Sequence, residues 1–309
     1  MEETRRFLES QGWPGRDPGE APSSAKRFPD GASYRIEIPS TEGPRALTAV
    51  LEEAALRGVT VERVSQGSGI MLLTDDEIRE MADIGRREKI EVNLFVGPRA
   101  TFDIGAQAFA AAGKALGLSL RGADQLVYAI EDVKRAVRLG ISSVLVSDIG
   151  LIAVLDRMKR AGELPADLII KTSVMMAPAN PVSARILEDL GATTINVPSD
   201  LTLGQLAAIR QSIDAPIDLY VEAPDNIGGF IRHYEVPEFI RVGAPLYVKL
   251  GLRNAPDIYP SGTHIEETAI RLSRERVRRA QLVLEVIERY GVGRQAKTPG
   301  APVSNQLDL

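Results

Sequence analysis

Apolar and polar positions alternate along this chain in two recurring patterns. Short apolar runs, several with a polar residue at every second place, mark strands at 34–38, 59–64, 91–96, 143–147, 168–173, 193–197, 217–222 and 246–250. Between them, apolar residues three and four apart mark helices at 44–56, 75–89, 123–139, 149–161, 181–190, 202–213 and 265–290. Glycines after Arg57, Leu139 and Leu190 supply helix ends. Thr74-Asp75-Asp76-Glu77 has the spacing of a capping box. Strands that alternate with helices pair in parallel, because each crossover returns the chain to the same edge. Eight such units over roughly 250 residues predict an α/β fold, the closed (β/α)8 TIM barrel. A doubly wound open sheet is the alternative. Its Gly-x-Gly-x-x-Gly fingerprint does not follow the first strand, and Ser65-Gln66-Gly67-Ser68-Gly69 after the second lacks the third glycine.

The barrel spans 34–292. Residues 1–33, rich in Pro, Gly and Ser, read as an irregular N-terminal arm that drapes over the domain or a partner, and 293–309 as a flexible polar tail. In a barrel strand the apolar alternates face the helices and the others face the lumen. That register turns Arg35, Glu37, Glu91, Asn93, Phe95, Thr194, Asn196, Asp218, Tyr220 and Glu222 inward. Lys171, in Leu168-Ile169-Ile170-Lys171-Thr172-Ser173, and Lys249, in Leu246-Tyr247-Val248-Lys249-Leu250, join them. An ammonium inside an apolar strand must find a partner, lose its proton or face a polar cavity.

Residues near the C-terminal ends of barrel strands lie at the catalytic face. The expected catalytic group is therefore Lys171, Lys249, Glu37 and Glu222, with Asn93 and Asn196 binding substrate beside them. Arg35, Glu91 and Asp218 come earlier in their strands and read as a structural ion-pair network. Gly228 and Gly229 after the seventh strand, and Gly251 and Arg253 after the eighth, form either an anion site of backbone N–H groups or plain turns. Asp148 and Asp200 read as helix caps. His264 is either an acid–base group on a lid or a surface histidine, and His233 reads as structural. The stretch 271–279, rich in Arg, reads as one solvated helix face.

Composition narrows the chemistry. The 309 residues contain no cysteine, which removes a thiol nucleophile, a disulfide and an ordinary iron–sulfur cluster. Two histidines rule out a multi-histidine metal site. No cofactor is expected, although a divalent metal held by Glu37, Asp148 and Glu222 through oxygen stays open. A formal charge of −5 argues against a nucleic-acid partner. No apolar run reaches membrane-spanning length and no secretory signal opens the chain, so the expectation is a cytoplasmic protein without a membrane partner. A homo-oligomer stays open.

The segment Lys171-Thr172-Ser173-Val174-Met175-Met176-Ala177-Pro178-Ala179-Asn180, followed by Leu187-Glu188-Asp189-Leu190-Gly191-Ala192, resembles the collagenase-like peptidase (U-32) family. So do Val197-Pro198-Ser199-Asp200-Leu201-Thr202-Leu203-Gly204 and Ile217-Asp218-Leu219-Tyr220-Val221, over a region of about 44–223. The resemblance implies a TIM barrel. Family members commonly carry His-Gly and then cysteines where this chain has Glu222-Ala223-Pro224, so their iron–sulfur chemistry does not carry over. Separately, Ile170-Lys171-Thr172-Ser173 is similar to the strand end of deoxyribose-phosphate aldolases, in which that lysine forms a Schiff base and a second lysine stands on a later strand. The functional expectation is an enzyme acting on a small anionic substrate at the barrel mouth, as a lysine-dependent lyase or aldolase. A metal- or water-dependent hydrolase and a non-catalytic barrel subunit are the alternatives.

Overall fold

The computed structural model describes residues 1–97 and 118–290. Eight parallel strands build its sheet: β1 (Tyr34–Pro39), β2 (Arg63–Gln66), β3 (Glu91–Phe95), β4 (Ser143–Val146), β5 (Ile169–Thr172), β6 (Ile195–Asn196), β7 (Ile217–Glu222) and β8 (Leu246–Leu250). Their order is β5-β4-β3-β2-β1-β8-β7-β6. The ends meet through a Lys171–Thr194 bridge, where Thr172 N–H donates to the Thr194 carbonyl at 3.0 Å. The expected (β/α)8 barrel is thus formed, with its thinnest seam at the two-residue β6.

Around it lie α2 (Pro44–Arg57), α3 (Asp75–Glu88), α4 (Gly122–Arg138), α5 (Ile149–Arg160), α6 (Pro181–Asp189), α7 (Leu203–Ser212), α8 (Val236–Gly243) and α9 (Glu266–Tyr290). Chemistry at the helix ends fixes several boundaries. Gly58 closes α2 in the left-handed conformation, and Thr74 opens α3 with the expected capping box. Asp148 caps α5 through Leu151 N–H, whereas α7 is capped by Thr202 and not by Asp200. Among the described residues no helix is long and apolar enough to cross a membrane.

The apolar core sits between sheet and helices, where Ile36, Ile38, Val64, Leu94, Leu219, Val248 and Leu250 are buried. Two features depart from the sequence reading. Helix α1 (Glu2–Ser10) stands in the arm that was expected to be irregular. The second strand begins at Arg63 rather than 59: Val59 and Val61 pack in the helix layer ahead of the ladder, which starts where Arg63 meets Glu37 and Glu91. The rest of the arm drapes over the domain. Ser24 Oγ donates to the Ala244 carbonyl, and Phe28 packs edge-on against Tyr247 at 5.0 Å between ring centroids. Phe28, Ala32 and Tyr247 form a small apolar plug at the N-terminal end of the barrel. The flexible-tail assignment, 293–309, lies outside the described residues.

Candidate functional site

The lumen holds a buried layer of charge whose members come from different strands. Register explains the meeting: Glu37 pairs with Arg63 on one side and Lys249 on the other, and Lys249 with Tyr220. Neighbours in a ladder point to the same face. Glu37 is the hub. Its carboxylate accepts from Lys171 Nζ and from Ser65 Oγ at 2.7 Å, with Lys249 Nζ at 3.5 Å and Arg63 Nη1 at 3.5 Å. Arg63 also donates to Asp218 at 2.9 Å, sets its Nε 2.8 Å from Glu91, and lies 3.5 Å over the Tyr247 ring. Three carboxylates (Glu37, Glu91, Asp218) thereby face three cations (Arg63, Lys171, Lys249). The expected deep network includes Glu91 and Asp218 as foreseen. Arg35 belongs to the plug end instead, paired with Asp30 at 3.0 Å.

Burial opposes the charge on Glu37, but Lys171, Lys249 and Arg63 together hold its carboxyl far below the usual carboxylate range. Burial raises Asp218. It also pushes the Lys171 ammonium down to about 8 against the pull of Asp218 and Glu37, with Lys249 and Arg63 reinforcing the push. The ordinary lysine value is 10.5. Between the two values the unfolded chain binds a proton that the folded chain releases, so stability rises with pH across that window. The full window is worth about 3 kcal/mol. Urea midpoints at pH 7.5 and 9.5 should increase for the wild type and stay level for Lys171→Met. An equal rise in both would assign the effect to other groups.

Above this layer opens a cavity of about 300 Å³ at the C-terminal mouth. Lys249, Asn196, Tyr220, Met175, Gly251 and Arg276 are among its lining residues. Lys249 Nζ stands 4.2 Å over the Tyr220 ring. Asn196 presents its amide oxygen to Lys249 Nζ at 2.8 Å and to Val174 N–H at 3.2 Å, while its NH₂ donates to the Asp218 carbonyl at 3.2 Å. The opposite amide orientation would set donor against donor. Lys171 and Glu37 lie beneath and do not line the cavity.

The other expected site residues are distributed differently. Asn93 is buried below Ser65 and donates to Ser143 Oγ at 2.6 Å, away from the cavity. Glu222 does not join the lysines. A register shift in β7 sets Tyr220 opposite Lys249 but Glu222 opposite Leu250, which faces the helices. The Glu222 carboxylate therefore turns outward, 3.1 Å from His233 Nε2 and 3.6 Å from Arg279 Nε, and accepts from Arg253 N–H at 3.1 Å. Burial works against that charge, but His233, the Arg253 N–H and Arg279 together outweigh it, so the carboxyl lies below its ordinary value.

Arg253 pairs with Asp225 at 2.9 Å on the surface. Gly228 and Gly229 have φ of 115° and 66°, and the turn they make is closed on itself by Gly229 N–H to the Pro224 carbonyl. Gly251 is a close-approach glycine: a Cβ there would lie 2.6 Å from the Glu222 carbonyl oxygen. The glycine-bearing loop after β2 also serves its own chain, since Gly67 and Ser68 N–H donate to Glu42 at 2.7 and 3.2 Å. His264 is exposed and not among the cavity residues. Among the described residues no group of three or more His, Asp or Glu is placed to hold a metal, so Glu37, Asp148 and Glu222 do not form one.

Sequence reasoning missed Arg63, Ser65 and Arg276. Arg63 lay inside the expected strand 59–64 but was given no inward register, and Ser65 fell beyond that strand. Arg276 lay in the stretch read as a solvated face, yet it is 5% exposed and reaches the cavity.

The model of peptidase family U32 matches residues 118–223. The chain resembles that family there. The match runs from α4 to the end of β7, so it contains Lys171, Asn196 and Tyr220 but leaves Glu37, Arg63, Lys249 and Arg276 outside. It begins later than the region 44–223 expected from sequence motifs. Among solved structures, a U32 peptidase is similar at 20% identity, covering 65% of this chain and 74% of that one, with a TM-score of 0.42. Thiamine phosphate pyrophosphorylase from Pyrococcus furiosus is 15% identical over 82% of this chain and 98% of that one, TM-score 0.44. A 2,3-dimethylmalate lyase of the PEP mutase/isocitrate lyase superfamily is 10% identical over 87% of each chain, TM-score 0.45. No curated protein matches the sequence.

Proposed function

We propose that this U32-type barrel is an enzyme acting on a small anionic, carbonyl-bearing substrate at the C-terminal mouth, as a lysine-dependent lyase. The observation that carries the reading is the placement of Lys249: its amine lines the cavity, while the carboxylate beside it is shared with Lys171 below. The Schiff-base role that the aldolase-like strand end suggests for Lys171 is here proposed for Lys249, because Lys171 lies beneath the cavity. The cavity volume accommodates about ten water-sized groups, which suits a small metabolite.

In the proposed reaction the neutral Lys249 amine adds to the substrate carbonyl carbon, forming a C–N bond. The carbonyl oxygen leaves as water. With one further proton from solvent completing that water, the resulting iminium takes up the electrons of the Cα–Cβ bond of a β-hydroxy substrate. That bond breaks, and the β-carbon leaves as an aldehyde once its hydroxyl proton passes to water. The enamine left on Lys249 is protonated at carbon and hydrolysed to a carbonyl product and the free lysine. Glu37 is too acidic in this setting to act as the acid; its role is to stay ionised between the two lysines and hold them in place. Lys171, pushed down to about 8, is the group in the layer beneath able to take up and return a proton near neutral pH. Asn196 and the Tyr220 ring orient the Lys249 amine.

Borohydride reduction in the presence of a panel of small aldehydes and 2-oxo acids, with peptide mapping by mass spectrometry, tests the assignment. The expected adduct is on Lys249. An adduct on Lys171 would reverse the roles, and turnover of a panel substrate without any lysine adduct would end the Schiff-base mechanism.

A further inference from the structure

A second cation reaches the cavity from outside the barrel strands. Arg276 lies in the middle of α9, the helix that follows β8 and packs beside α2. Its neighbours on the helix, Arg271, Arg274 and Arg278, bond to Thr268, Glu52 and Glu275. Arg276 alone of these is buried, at 5% exposure. Its hydrogen bond is a long one, Nη1 to the Ser40 carbonyl at 3.4 Å. It forms no ion pair among the described residues, and its buried Nε has no hydrogen-bond partner there. The carboxylate that acts on it electrostatically, Glu42, already accepts from Gly67 and Ser68 N–H.

A guanidinium carries five donors in a fixed fork and cannot shed its charge at neutral pH. Burying one without a counter-ion is expensive, and burial does lower Arg276 from its usual value. The surroundings are built to keep it there. Ser40 holds a left-handed backbone at φ 56°, a conformation that costs a serine of order 1 kcal/mol. Ser40 Oγ and Tyr259 OH share a 2.5 Å hydrogen bond, and Tyr259 packs so tightly on Gly67 that a Cβ there would meet its hydroxyl at 2.5 Å.

We propose that Arg276 is the oxyanion anchor of this cavity, binding a carboxylate or phosphate monoester group of the ligand through its unsatisfied guanidinium edge. The inference rests on the cavity being a substrate site and deepens that reading: the substrate carries its oxyanion at Arg276 and its reacting carbonyl at Lys249. The anchor would then set specificity, while the strand lysines perform the chemistry. An anion at the site replaces the missing counter-ion, which gives a physical reason for keeping an arginine in an otherwise buried position.

Calorimetric titration of the full chain with inorganic phosphate and, separately, with malonate tests the anchor and distinguishes its two ligand types. At least one probe should bind. Arg276→Met should weaken that binding by about 10- to 100-fold, the usual range for a charge-assisted hydrogen bond, and Arg276→Lys by less. Phenylglyoxal labelling of Arg276 in the wild type, mapped by mass spectrometry, should be slowed by the same probe, which keeps the test valid even if a variant folds poorly. Unchanged affinity in a folded Arg276→Met chain, absence of binding by both probes, or labelling indifferent to the probe would each overturn the anchor. Its failure is separable from failure of the lysine chemistry: borohydride trapping on Lys249 can persist without the anchor, and the anchor can hold a probe in a chain whose Lys249 never labels.

Discussion

Glu37→Gln should be the most destabilising single change in the lumen. The substitution keeps size and shape but leaves Lys171, Lys249 and Arg63 without their shared carboxylate. Breaking a buried ion pair by removing one partner costs about 3–5 kcal/mol, because the remaining charge is stranded. Asp218 and Glu91 still face Arg63, and Asp218 still acts on Lys171, so the loss concentrates on the direct contacts that the two lysines make with Glu37. Lys171→Met removes one of three cations instead, leaves Glu37 with Lys249 and Arg63, and fills the space with an apolar chain. It should be near neutral or stabilising at pH 7. The Glu37 effect carries a pH signature. Its carboxyl is depressed in the folded chain from an ordinary 4.5, so its contribution is present above that value and fades as the pH falls towards the folded one. Urea unfolding of both variants at pH 7 and pH 4 would measure this. A loss below 1 kcal/mol for Glu37→Gln at pH 7 would mean that the lysines are neutral or solvated, and the hub description would fall.

The largest expected effect on activity belongs to Lys249→Met. Removing a preorganised cation that meets developing charge lowers kcat by about 10²–10³-fold, and removing a covalent nucleophile lowers it further. Lys171→Met should act through proton transfer in the layer beneath Lys249. It should lower kcat less and shift the pH–rate profile, since the group titrating near 8 is gone. Arg276→Met should instead show mainly in KM if its contact with the ligand is equal in the ground and transition states. Steady-state kinetics on any panel substrate that is turned over separates the three. Retention of kcat within threefold in Lys249→Met would remove the lysine from the chemistry and leave it an ion-pair partner.

Much of the barrel was legible in the chain. The alternation of apolar strand runs with helix-period segments requires only local patterning, and parallel pairing follows from the crossovers. The inward register of Glu37, Lys171, Asn196, Asp218 and Lys249 is also a local property, because a strand with Ile36 and Ile38, or Val248 and Leu250, facing the helices leaves no other direction for the residue between. The plain-turn reading of Gly228 and Gly229 was available for the same reason, since a positive φ is a demand of the local backbone.

Three decisions belonged to the tertiary structure. Glu222 obeys strict alternation on paper, but the irregularity opposite Lys249 and Leu250 turns it to the helix side, and only the pairing of two strands creates that shift. Arg63 emerges from a stretch whose apolar residues read as strand four residues too early, because the ladder starts where partners exist and not where valines do. Arg276 shares a helix with surface arginines, and nothing in its spacing separates it from them; its burial is set by where α9 crosses the mouth beside Ser40. The sequence by itself determined the barrel and the inward lysines, since side-chain direction in a strand is a two-fold choice made by its apolar neighbours. Tertiary packing decided which lysine meets the cavity, which carboxylate stays with it, and which arginine arrives from the helix layer, since these depend on distances between segments that no local pattern encodes.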